Sequence, residues 1–471
     1  MISRRTLATA PGATLVAAAA ATAGGEYVLR QHRDAGFPRP PDADAHGHLL
    51  WRNWSGSQSA YPAARAAPAS EDELVSLLKT AVTPVRAVGA GHSFTALVPT
   101  DGTLVSLDQI SGIVSHDPAK LQATIRAGTR LGTLGPALAD IGQEMLTLPD
   151  INKQALGGAL ATGTHGTGQT LQAIHGSVQS FRLVTAKGDI VEASPDKNAE
   201  IFQAAKVGLG AFGILTEVTL QNRVLTRIRK RVYAMKTRDA LDAWPGLKAQ
   251  HRNAEMYILP FTGMTAIITG DPTTDPVVPR GPDTDVDTLM DLKALRDWLA
   301  VLPPLRRYIA RKAIETTPSS EAVDDGWKLL SNERPVRFNE MEFHLPAEAQ
   351  PQAALEILEA VETNRPDVFF PFEIRSIAPD DAYLSPFYDR VSGSIAVHAY
   401  YLNDYSFLFD IVEPILRRHG GRPHWGKLNS LGAADFAALY PRWKDAIGIR
   451  QTLDPDGKFL NPYLRKVFGN A

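Results

Sequence analysis

The residue types best suited to chemistry fall in a short glycine-rich stretch near position 90. The small residues 89–91 directly precede His92 and Ser93, and they follow an apolar, β-branched run at 82–88 that predicts a strand. Backbone N–H groups can approach a phosphate closely where no side chain blocks the way. The stretch therefore predicts a pyrophosphate cradle with a histidine that touches the bound group or is bonded to it. An ordinary strand and turn with an incidental histidine is the alternative.

A second glycine-rich stretch occupies residues 157–168, where five glycines and three threonines fall among twelve residues. This density favours a loop whose backbone lies directly against a ligand, with threonine hydroxyls as donors. A flexible loop is the alternative. A third stretch, 208–213, matches G-x-G-x-x-G, but it precedes a predicted strand where the dinucleotide fingerprint should open a helix. A nicotinamide enzyme is therefore disfavoured.

A carboxylate and a guanidinium stand two residues apart at Glu373 and Arg375, within the predicted strand 369–377. Residues two apart in a strand point to the same face, so these two charges should project side by side. A solvated surface pair is the commoner fate of such residues. The neighbours Phe372 and Ile374 are apolar, which indicates that this strand is not wholly solvated.

The elements that must hold these residues alternate between helices and strands without forming a string of βαβ units. Ser70 and Glu73 make a capping box that begins a helix, and this helix leads into the strand before His92. The hydrophobic patterns then predict strands at 102–107 and 122–126, a helix at 130–141 and a hairpin at 181–191.

Beyond about residue 223 the composition shifts to strand-like runs separated by proline-rich connectors. This part predicts a second α+β domain. Its expected strands are 227–233, 264–268, 336–344, 369–377 and 394–401, and its expected helices are 287–308 (broken at Pro303), 350–364 and 405–419.

The composition bounds the class of protein. The chain has 471 residues, 44% hydrophobic and 21% charged, which fits a globular protein with two or more cores. A net charge of −2 gives no electrostatic footprint for nucleic acid or an anionic membrane. The absence of cysteine excludes disulfides, thiolate metal sites and cysteine nucleophiles. No His-x-x-x-His spacing occurs, so we expect no catalytic metal.

The N-terminus indicates export. Arg4 and Arg5 precede a small-residue apolar run at 15–23, which ends in the small residues that a signal peptidase reads. The twin arginine predicts folding in the bacterial cytoplasm and twin-arginine translocation to the periplasm or exterior. A plain secretory signal and a disordered alanine-rich tail are the alternatives. The apolar run at 15–23 is far short of the ~20 residues that a stable transmembrane helix needs, so we expect no integral membrane domain.

Taken in order, five segments resemble the vanillyl-alcohol-oxidase type of FAD-binding oxidases, within the branch of gulonolactone, arabinonolactone and alditol oxidases. These segments are 89–93, 157–168, 373–375, 424–427 and 454–463. The resemblance implies an α+β fold with a two-part PCMH-type FAD-binding domain, a substrate domain and a C-terminal segment that returns to the FAD-binding domain. The implied boundaries are 1–25 for the signal peptide, 26–46 for a linker, 47–222 for the FAD-binding domain, 223–435 for the substrate domain and 436–471 for the C-terminal segment.

The resemblance also implies how FAD is held. His92 would carry FAD covalently, through the methyl group beside the benzenoid edge of the flavin. Some relatives add a second link through cysteine, which this chain lacks. The remaining contacts implied for the pyrophosphate, the flavin and the adenine end are Gly89, Gly91, Ser93, Gly158, Thr162, Gly163, Thr164, His165, Gly166, Gly213 and Ile214.

The activity implied by the resemblance is oxidation of a CH–OH group in a sugar-derived polyol or aldono-1,4-lactone. Hydride passes to FAD, and dioxygen is then reduced to hydrogen peroxide. Glu373 and Arg375 would bind the polyol, and Lys427 would contact the substrate or the hydride-accepting nitrogen. His424 shares the His-Trp-Gly-Lys turn with Lys427, in a catalytic or a merely structural role. His398 is a weaker candidate from the same comparison.

The electron acceptor depends on a finer signal. Pro149 precedes the second glycine-rich stretch, where relatives gate the access of dioxygen, and a proline there favours an oxidase. A proline that simply ends the preceding segment is equally consistent with the sequence. Two alternatives to an oxidase stay open, which are a dehydrogenase with another electron acceptor and a non-enzymatic exported flavin-binding protein.

Overall fold

A computed structural model describes residues 39–282, 285–299, 302–332 and 334–469. The predicted signal peptide and the first part of the predicted linker lie outside these residues. None of the helices in the described ranges combines the length and the apolar character needed to cross a membrane.

The first part of the described chain contains three sheets. Its strands are β1 (Trp51–Arg52), β2 (Ser59–Ala60), β3 (Ala64–Ala66), β4 (Val85–Val88), β5 (Thr103–Ser106), β6 (Ile113–Asp117), β7 (Gln122–Arg126), β8 (Gln143–Met145), β9 (Val178–Val184), β10 (Ile190–Ala193) and β11 (Ile214–Val224). β1 and β2 form a hairpin, and β5 pairs in parallel with β3 and β4. An antiparallel sheet has the order β10-β9-β11-β7-β6, with β8 beside β11.

The second part contains one large antiparallel sheet. Its strands are β12 (Arg227–Lys236), β13 (Asn253–Leu259), β14 (Met264–Pro272), β15 (Ser320–Asp325), β16 (Phe338–Pro346), β17 (Phe372–Ile377), β18 (Ser392–Tyr400) and β19 (Arg422–Pro423). The order across the sheet is β15-β12-β14-β13-β17-β18-β16-β19. β17, which contains Glu373 and Arg375, is therefore a central strand, fixed by hydrogen bonds on both sides.

Helices cover the sheets. They are α1 (Glu71–Thr80), α2 (Leu131–Ala139), α3 (Leu156–Ala161), α4 (Ala199–Ala205), α5 (Thr237–Gln250), α6 (Asp285–Trp298), α7 (Pro303–Glu315), α8 (Gly326–Leu329), α9 (Gln350–Asn364), α10 (Glu413–Arg418), α11 (Ala433–Leu439), α12 (Trp443–Leu453) and α13 (Pro462–Phe468), with a 3-10 turn at Ile174–Ser177 and a π-helical turn at Leu408–Val412. α5 and α9 bury one face of the large sheet. The other face is turned towards the first part of the chain.

Local sequence signals explain several elements. The Ser70 hydroxyl accepts a hydrogen bond from Glu73 N at 3.1 Å, and the Glu73 carboxylate accepts one from Ala69 N at 2.9 Å. This confirms the predicted helix start. The expectation that 157–168 is wholly a loop is wrong, because its start belongs to α3. Leu156 and Leu160 lie four residues apart and are buried, which gives this helix an apolar face.

The predicted bounds shift at other elements. Of the strand expected at 82–88, only Val85–Val88 forms a strand, which is β4. The helix expected at 405–419 begins as the π-helical turn and continues as α10. α5 and β13 were not among the predicted elements. Pro245 lies inside α5 and interrupts the helical pattern of the sequence.

The C-terminal segment returns to the first part of the chain, as the resemblance implied. Lys458 O accepts a hydrogen bond from Val85 N at 2.8 Å. The Asn461 amide donates to Ala96 O and Pro99 O, each at 2.8 Å. These bonds attach the residues just before α13 to β4 and to the loop that follows His92.

Candidate active site

Two cavities meet between the large sheet and the first part of the chain. One is a cleft of about 170 Å³ among the glycine-rich turns, and the other is a cavity of about 410 Å³ over the open face of the large sheet. Ile151, Gln154, His424 and Lys427 line both. The two spaces are therefore contiguous, with Lys427 at their junction.

The cleft has the features of an anion cradle. Gly91 has a φ of +66°, a left-handed conformation that favours glycine. Gly213 has a φ of +147°, and a Cβ there would lie 2.7 Å from Leu183 Cδ1. Within the described part of the chain, the N–H groups of residues 90–93 donate no hydrogen bond. These N–H groups can accordingly bind the oxygens of a phosphate.

Arg86 joins the walls of the cleft. Its side chain is buried, and it donates to the carbonyl oxygens of Leu97, Leu209 and Phe459 at 2.7 Å and of Gly210 at 3.0 Å. Burial lowers the pKa of this guanidinium to about 9. One side chain thus connects β4, the 208–213 turn and the C-terminal segment.

His92 lies in the wall of the cleft as a neutral imidazole. Its ring stacks on Trp54, with 4.9 Å between ring centroids and 28° between planes. Burial, assisted by the nearby charge of Lys427, lowers the pKa of His92 to about 4. A neutral ring retains a nitrogen lone pair at physiological pH, so His92 can act as a nucleophile.

The structure divides the predicted cofactor residues into three groups. Those in the cleft are Gly89, Gly91, His92, Ser93, Gly158, Thr162, Gly213 and Ile214. Thr164 and His165 line the larger cavity instead. Gly163 and Gly166 line neither. A Cβ at Gly166 would lie 2.2 Å from Leu148 O, so close backbone packing requires this glycine.

Glu373 and Arg375 share a face of β17, as their spacing predicted, and both line the larger cavity. Arg375 Nη2 lies 3.3 Å from Glu373 Oε2. In the strand register, Glu373 stands directly opposite Tyr257 of β13 and Ala396 of β18. Ala396 in turn stands opposite Glu342 of β16. A row of polar side chains therefore crosses the middle of the sheet.

Glu342 is the centre of a buried network. Its Oε1 lies 2.6 Å from Arg375 Nη2 and 3.0 Å from His165 Nε2, and it accepts a bond from Ser394 Oγ at 2.5 Å. Burial tends to raise the pKa of Glu342, but Arg375 and His165 hold it well below its ordinary value. The carboxylate is consequently ionised and fixes the position of Arg375.

Tyr257 holds the other side of Glu373. Its hydroxyl donates to Glu373 Oε1 at 2.8 Å and accepts from Arg334 Nη2 at 3.3 Å. Burial, and then the charge of Glu373, raise the pKa of Tyr257 well above its usual value. Arg334 also pairs with Asp150 at 2.7 Å. The tyrosine therefore stays protonated and orients the carboxylate.

His424 and Lys427 belong to a segment that follows the edge of the sheet. Lys427 Nζ pairs with the buried Glu340 carboxylate. His424 Nδ1 accepts a bond from Gly426 N at 3.0 Å, so the proton of the neutral ring is on Nε2. Burial lowers the pKa of His424 well below its usual value. His398 also lines the cavity, with Nε2 3.8 Å from Glu340 Oε1.

Sequence reasoning missed Tyr257, Glu340 and Glu342. For two of them a signal exists, because Glu340, Glu342 and His344 recur every second residue between apolar residues in the predicted strand 336–344. Such a strand places its ionisable face either in solvent or, where this face is buried, against a polar partner. Tyr257 has no comparable signal.

Among the described residues, two groups of side chains have the spacing to hold a metal ion. One is His165 with Glu342 and His344, and the other is Glu340 with Glu373 and His398. In each group a carboxylate already has a cationic partner, which is Arg375 for Glu342 and Lys427 for Glu340.

Comparison with protein-family models gives two matches. Residues 218–467 match the model of D-arabinono-1,4-lactone oxidase. Residues 62–194 match an FAD binding domain, and this part includes the glycine-rich turns of the cleft up to residue 168. The cleft thus has the backbone donors, the glycines and the FAD-binding sequence that a flavin dinucleotide requires.

Curated relatives cover almost the whole chain. L-gulono-1,4-lactone dehydrogenase of Mycobacterium tuberculosis (strain H37Rv) is 32% identical over 431 residues, which are 89% of this chain and 99% of the relative. L-gulonolactone oxidase of Bos taurus is 29% identical over 442 residues, 90% of this chain and 99% of the relative. Alditol oxidase of a Streptomyces species is 26% identical over 427 residues, 88% of this chain and 98% of the relative.

A solved structure supports the fold. Cholesterol oxidase from B. sterolicum superposes with a TM-score of 0.73 at 16% identity, covering 92% of this chain and 100% of that chain. The expected α+β architecture, an FAD-binding domain followed by a second α+β domain, is confirmed.

Proposed function

Because the chain belongs to the D-arabinono-1,4-lactone oxidase family, we propose that it oxidises a CH–OH group of a sugar-derived polyol or aldono-1,4-lactone. The FAD-binding domain holds the cofactor, which accepts a hydride when bound. The observation that carries the proposal is the polar row of Tyr257, Glu373 and Arg375 beside the glycine cleft. Carboxylate and guanidinium groups are strong partners for hydroxyls.

Each side chain has a distinct task in this proposal. Glu373, oriented by Tyr257, accepts hydrogen bonds from substrate hydroxyls, and Arg375 donates to hydroxyl or lactone oxygens. Lys427, held by Glu340, places positive charge where the cleft and the larger cavity meet. His424 donates from Nε2 and so acts as an orienting donor rather than as a base. These groups select which carbon faces the cleft.

The substrate-binding role is tested by Glu373→Gln. An uncharged amide weakens a hydrogen bond to a charged group by about 1.5–3 kcal/mol, so we expect kcat/KM to fall about 10- to 150-fold. Anaerobic titration with xylitol, sorbitol and L-gulono-1,4-lactone follows bleaching of the flavin. Bleaching that is unchanged in the variant would contradict this role. If no polyol or lactone bleaches the wild-type flavin, the protein is a flavin-binding protein without this activity.

We also propose that His92 is the covalent attachment point of FAD. Its place in the cleft wall, its stacking on Trp54 and its neutral ring support a bond from an imidazole nitrogen to the methyl carbon of the flavin's benzenoid edge. This C–N bond would replace a methyl C–H bond and the imidazole N–H bond, and the two electrons released would reduce the flavin itself, which dioxygen would then reoxidise. After acid precipitation, the wild-type pellet should stay yellow and the His92→Ala pellet should be colourless. His116→Ala, at an exposed histidine, is the matched control. A yellow His92→Ala pellet would refute the attachment.

Dioxygen is the acceptor that we propose. Pro149 lines the larger cavity. By the family resemblance, a proline before the second glycine-rich stretch favours an oxidase. A dehydrogenase is the second candidate, because the Mycobacterium tuberculosis relative has that name. An oxygen electrode with xylitol or L-gulono-1,4-lactone should record uptake of one dioxygen per hydrogen peroxide formed. A protein that reduces a dye anaerobically but takes up no dioxygen at the electrode would be identified as a dehydrogenase.

Export by the twin-arginine route remains a proposal from the sequence. Changing Arg4 and Arg5 together to lysine should retain the protein in the cytoplasm, while the wild type reaches the periplasm or medium. Fractionation followed by detection of flavin fluorescence measures this. If the wild type and the double lysine variant are found in the same fractions in the same proportions, twin-arginine export is refuted.

A further inference from the structure

The larger cavity extends well beyond the polar row. From β17 the neighbouring strands are β13, β14 and then β12. Because neighbouring strands lie about 4.8 Å apart, β12 is roughly 14 Å from β17 across the sheet. Residues of both strands line the same cavity. A small polyol bound at Glu373 would leave the β12 side of this space unused.

The chemistry of the cavity wall changes along this distance. Tyr257 stands opposite Ala266 of β14, and Ala266 stands opposite Ala234 of β12. Two residues along, on the same face of the sheet, Val232 stands opposite Ile268. Helices α6 and α7 close this side with apolar residues. We call this part the apolar arm, lined by Val232, Ala234, Ala266, Ile268, Leu289 and Ile314.

Packing is incomplete along the apolar arm. Ala234, Ala266 and Ile268 keep accessible surface, whereas Met256 and Ile267, on the other face of the sheet, are fully buried under α5. Apolar groups that line open space lose dispersion contacts, which a ligand of matching character restores. The alanines also make the room, since larger side chains at 234 and 266 would fill it.

Exposed charged residues lie at the outer rim of the arm, and the buried Lys230, two residues before Val232 on β12, lines the same cavity and donates to Leu329 O at 2.9 Å. Glu321 pairs with Arg231 at 2.6 Å, and Arg280 donates to Asn332 Oδ1 at 2.6 Å. Glu321 and Arg280 both line the cavity and are exposed. The arm therefore leads from the polar row to solvent.

We propose that the substrate is amphipathic, with a polyhydroxyl head at Glu373 and an apolar substituent of roughly six to eight carbons in the apolar arm. This inference rests on the proposed function and specifies its substrate class. The head site and the arm lie on one sheet face, so a single molecule can occupy both.

The acyl chain length of a polyol tests this inference. Acetyl-, butanoyl-, hexanoyl- and octanoyl-N-methylglucamide share one alditol head. Each methylene that enters the arm should raise the anaerobic rate of flavin bleaching at low substrate by up to about fourfold (about 0.8 kcal/mol). From acetyl to octanoyl we expect a rise of at least about 100-fold. A flat series in the wild type would overturn the inference.

Two variants fill the arm from different sides. Ala234→Phe and Leu289→Trp should flatten the series to within about threefold while leaving the sorbitol rate within about threefold of wild type. Ala234→Ser keeps the volume and should retain most of the chain-length dependence. A steep series that persists in both filling variants would show that the chain binds elsewhere and would overturn the inference.

The remaining outcomes separate the two proposals. If no polyol bleaches the flavin, the proposed function fails. Calorimetric binding of the acyl series then tests, independently of activity, whether the acyl chain occupies the apolar arm. An affinity that rises with acyl chain length in the wild type, and no longer does so in either filling variant, would still support binding of the acyl chain in the apolar arm. If the variants instead slow reoxidation by decyl-benzoquinone and the acyl series is flat, the arm serves an electron acceptor and the amphipathic substrate is refuted.

Discussion

Replacing Arg375 with methionine should destabilise the protein strongly at pH 8 and much less at pH 5. Arg375 Nη2 lies 2.6 Å from Glu342 Oε1, and the two side chains are 7% and 1% exposed. Methionine keeps much of the apolar stem but removes the charge. Glu342 then remains buried, with only His165 and Ser394 as hydrogen-bond partners.

The size of the effect follows from this geometry. Removing one partner of a buried ion pair costs about 3–5 kcal/mol, because an uncompensated charge stays in the interior. His165 at 3.0 Å and Ser394 at 2.5 Å still bond to Glu342, which places the cost near the lower end. We therefore expect a loss of about 3 kcal/mol in the free energy of unfolding at pH 8.

The pH dependence has a definite sign. In the wild type the pKa of Glu342 is below its ordinary value of 4.5, so its stabilising contribution is present above that pH and is lost as the pH falls through the native pKa. Without Arg375, burial should raise the pKa of Glu342 above 4.5. Protonation of the carboxylate then removes the penalty as the pH falls, and the two proteins become more alike at pH 5.

Urea unfolding followed by tryptophan fluorescence at pH 8 and pH 5 measures both effects. Adding Glu342→Gln to Arg375→Met should recover most of the stability at pH 8 but not the turnover, because the guanidinium is still missing from the cavity. Arg306→Met is the matched control. This buried arginine donates to the carbonyl groups of residues 366 and 368. The stability lost on replacing it should therefore be the same at both pH values. Equal losses at both pH values for Arg375→Met would refute the reasoning.

Three further predictions concern single side chains. Lys427→Met should lower kcat/KM at least about tenfold, and adding Glu340→Gln should restore urea stability but not kcat/KM. Arg86→Met removes the donors to four carbonyl groups and should lower the flavin content of the purified protein, read from its absorbance ratio. Glu255 lies on β13, opposite Ile268 of β14. Burial, and then the charge of Glu373, raise the pKa of Glu255 to about 7. The wild type should therefore lose stability relative to Glu255→Gln as the pH rises from 5 to 8, by up to about 3 kcal/mol in urea unfolding.

Local spacing predicted those parts of the fold that depend on neighbouring residues. The capping box of Ser70 and Glu73 and the hairpin around Gly188 are examples, since a hydroxyl near a helix start or a glycine at φ +86° acts within a few residues. The helix inside 157–168 was missed, because its glycines suggested a loop. There the burial of Leu156 and Leu160 outweighs the low helix propensity of glycine.

The site was predictable in part for the same reason. The shared face of Glu373 and Arg375 follows from strand periodicity alone. Their partners do not, because Glu342 is 33 residues before Arg375 in the chain and His165 is 177 residues before Glu342. Which strands become neighbours depends on the packing of the whole sheet, and the local patterns of a single sequence do not give the order of the strands.

The segment 424–428 explains why variants at the candidate site can be interpreted as changes in chemistry. Its backbone is hydrogen-bonded to β16 at both ends, at 2.9 Å each. Gly426 O accepts from Phe94 N at 2.7 Å, and a Cβ at Gly426 would lie 3.1 Å from Ser93 Oγ. Backbone bonds therefore fix the loop that contains His92 against the large sheet. A change of the Lys427 side chain alters the charge at the junction of the two cavities, while the distance between cleft and sheet is held by the main chain.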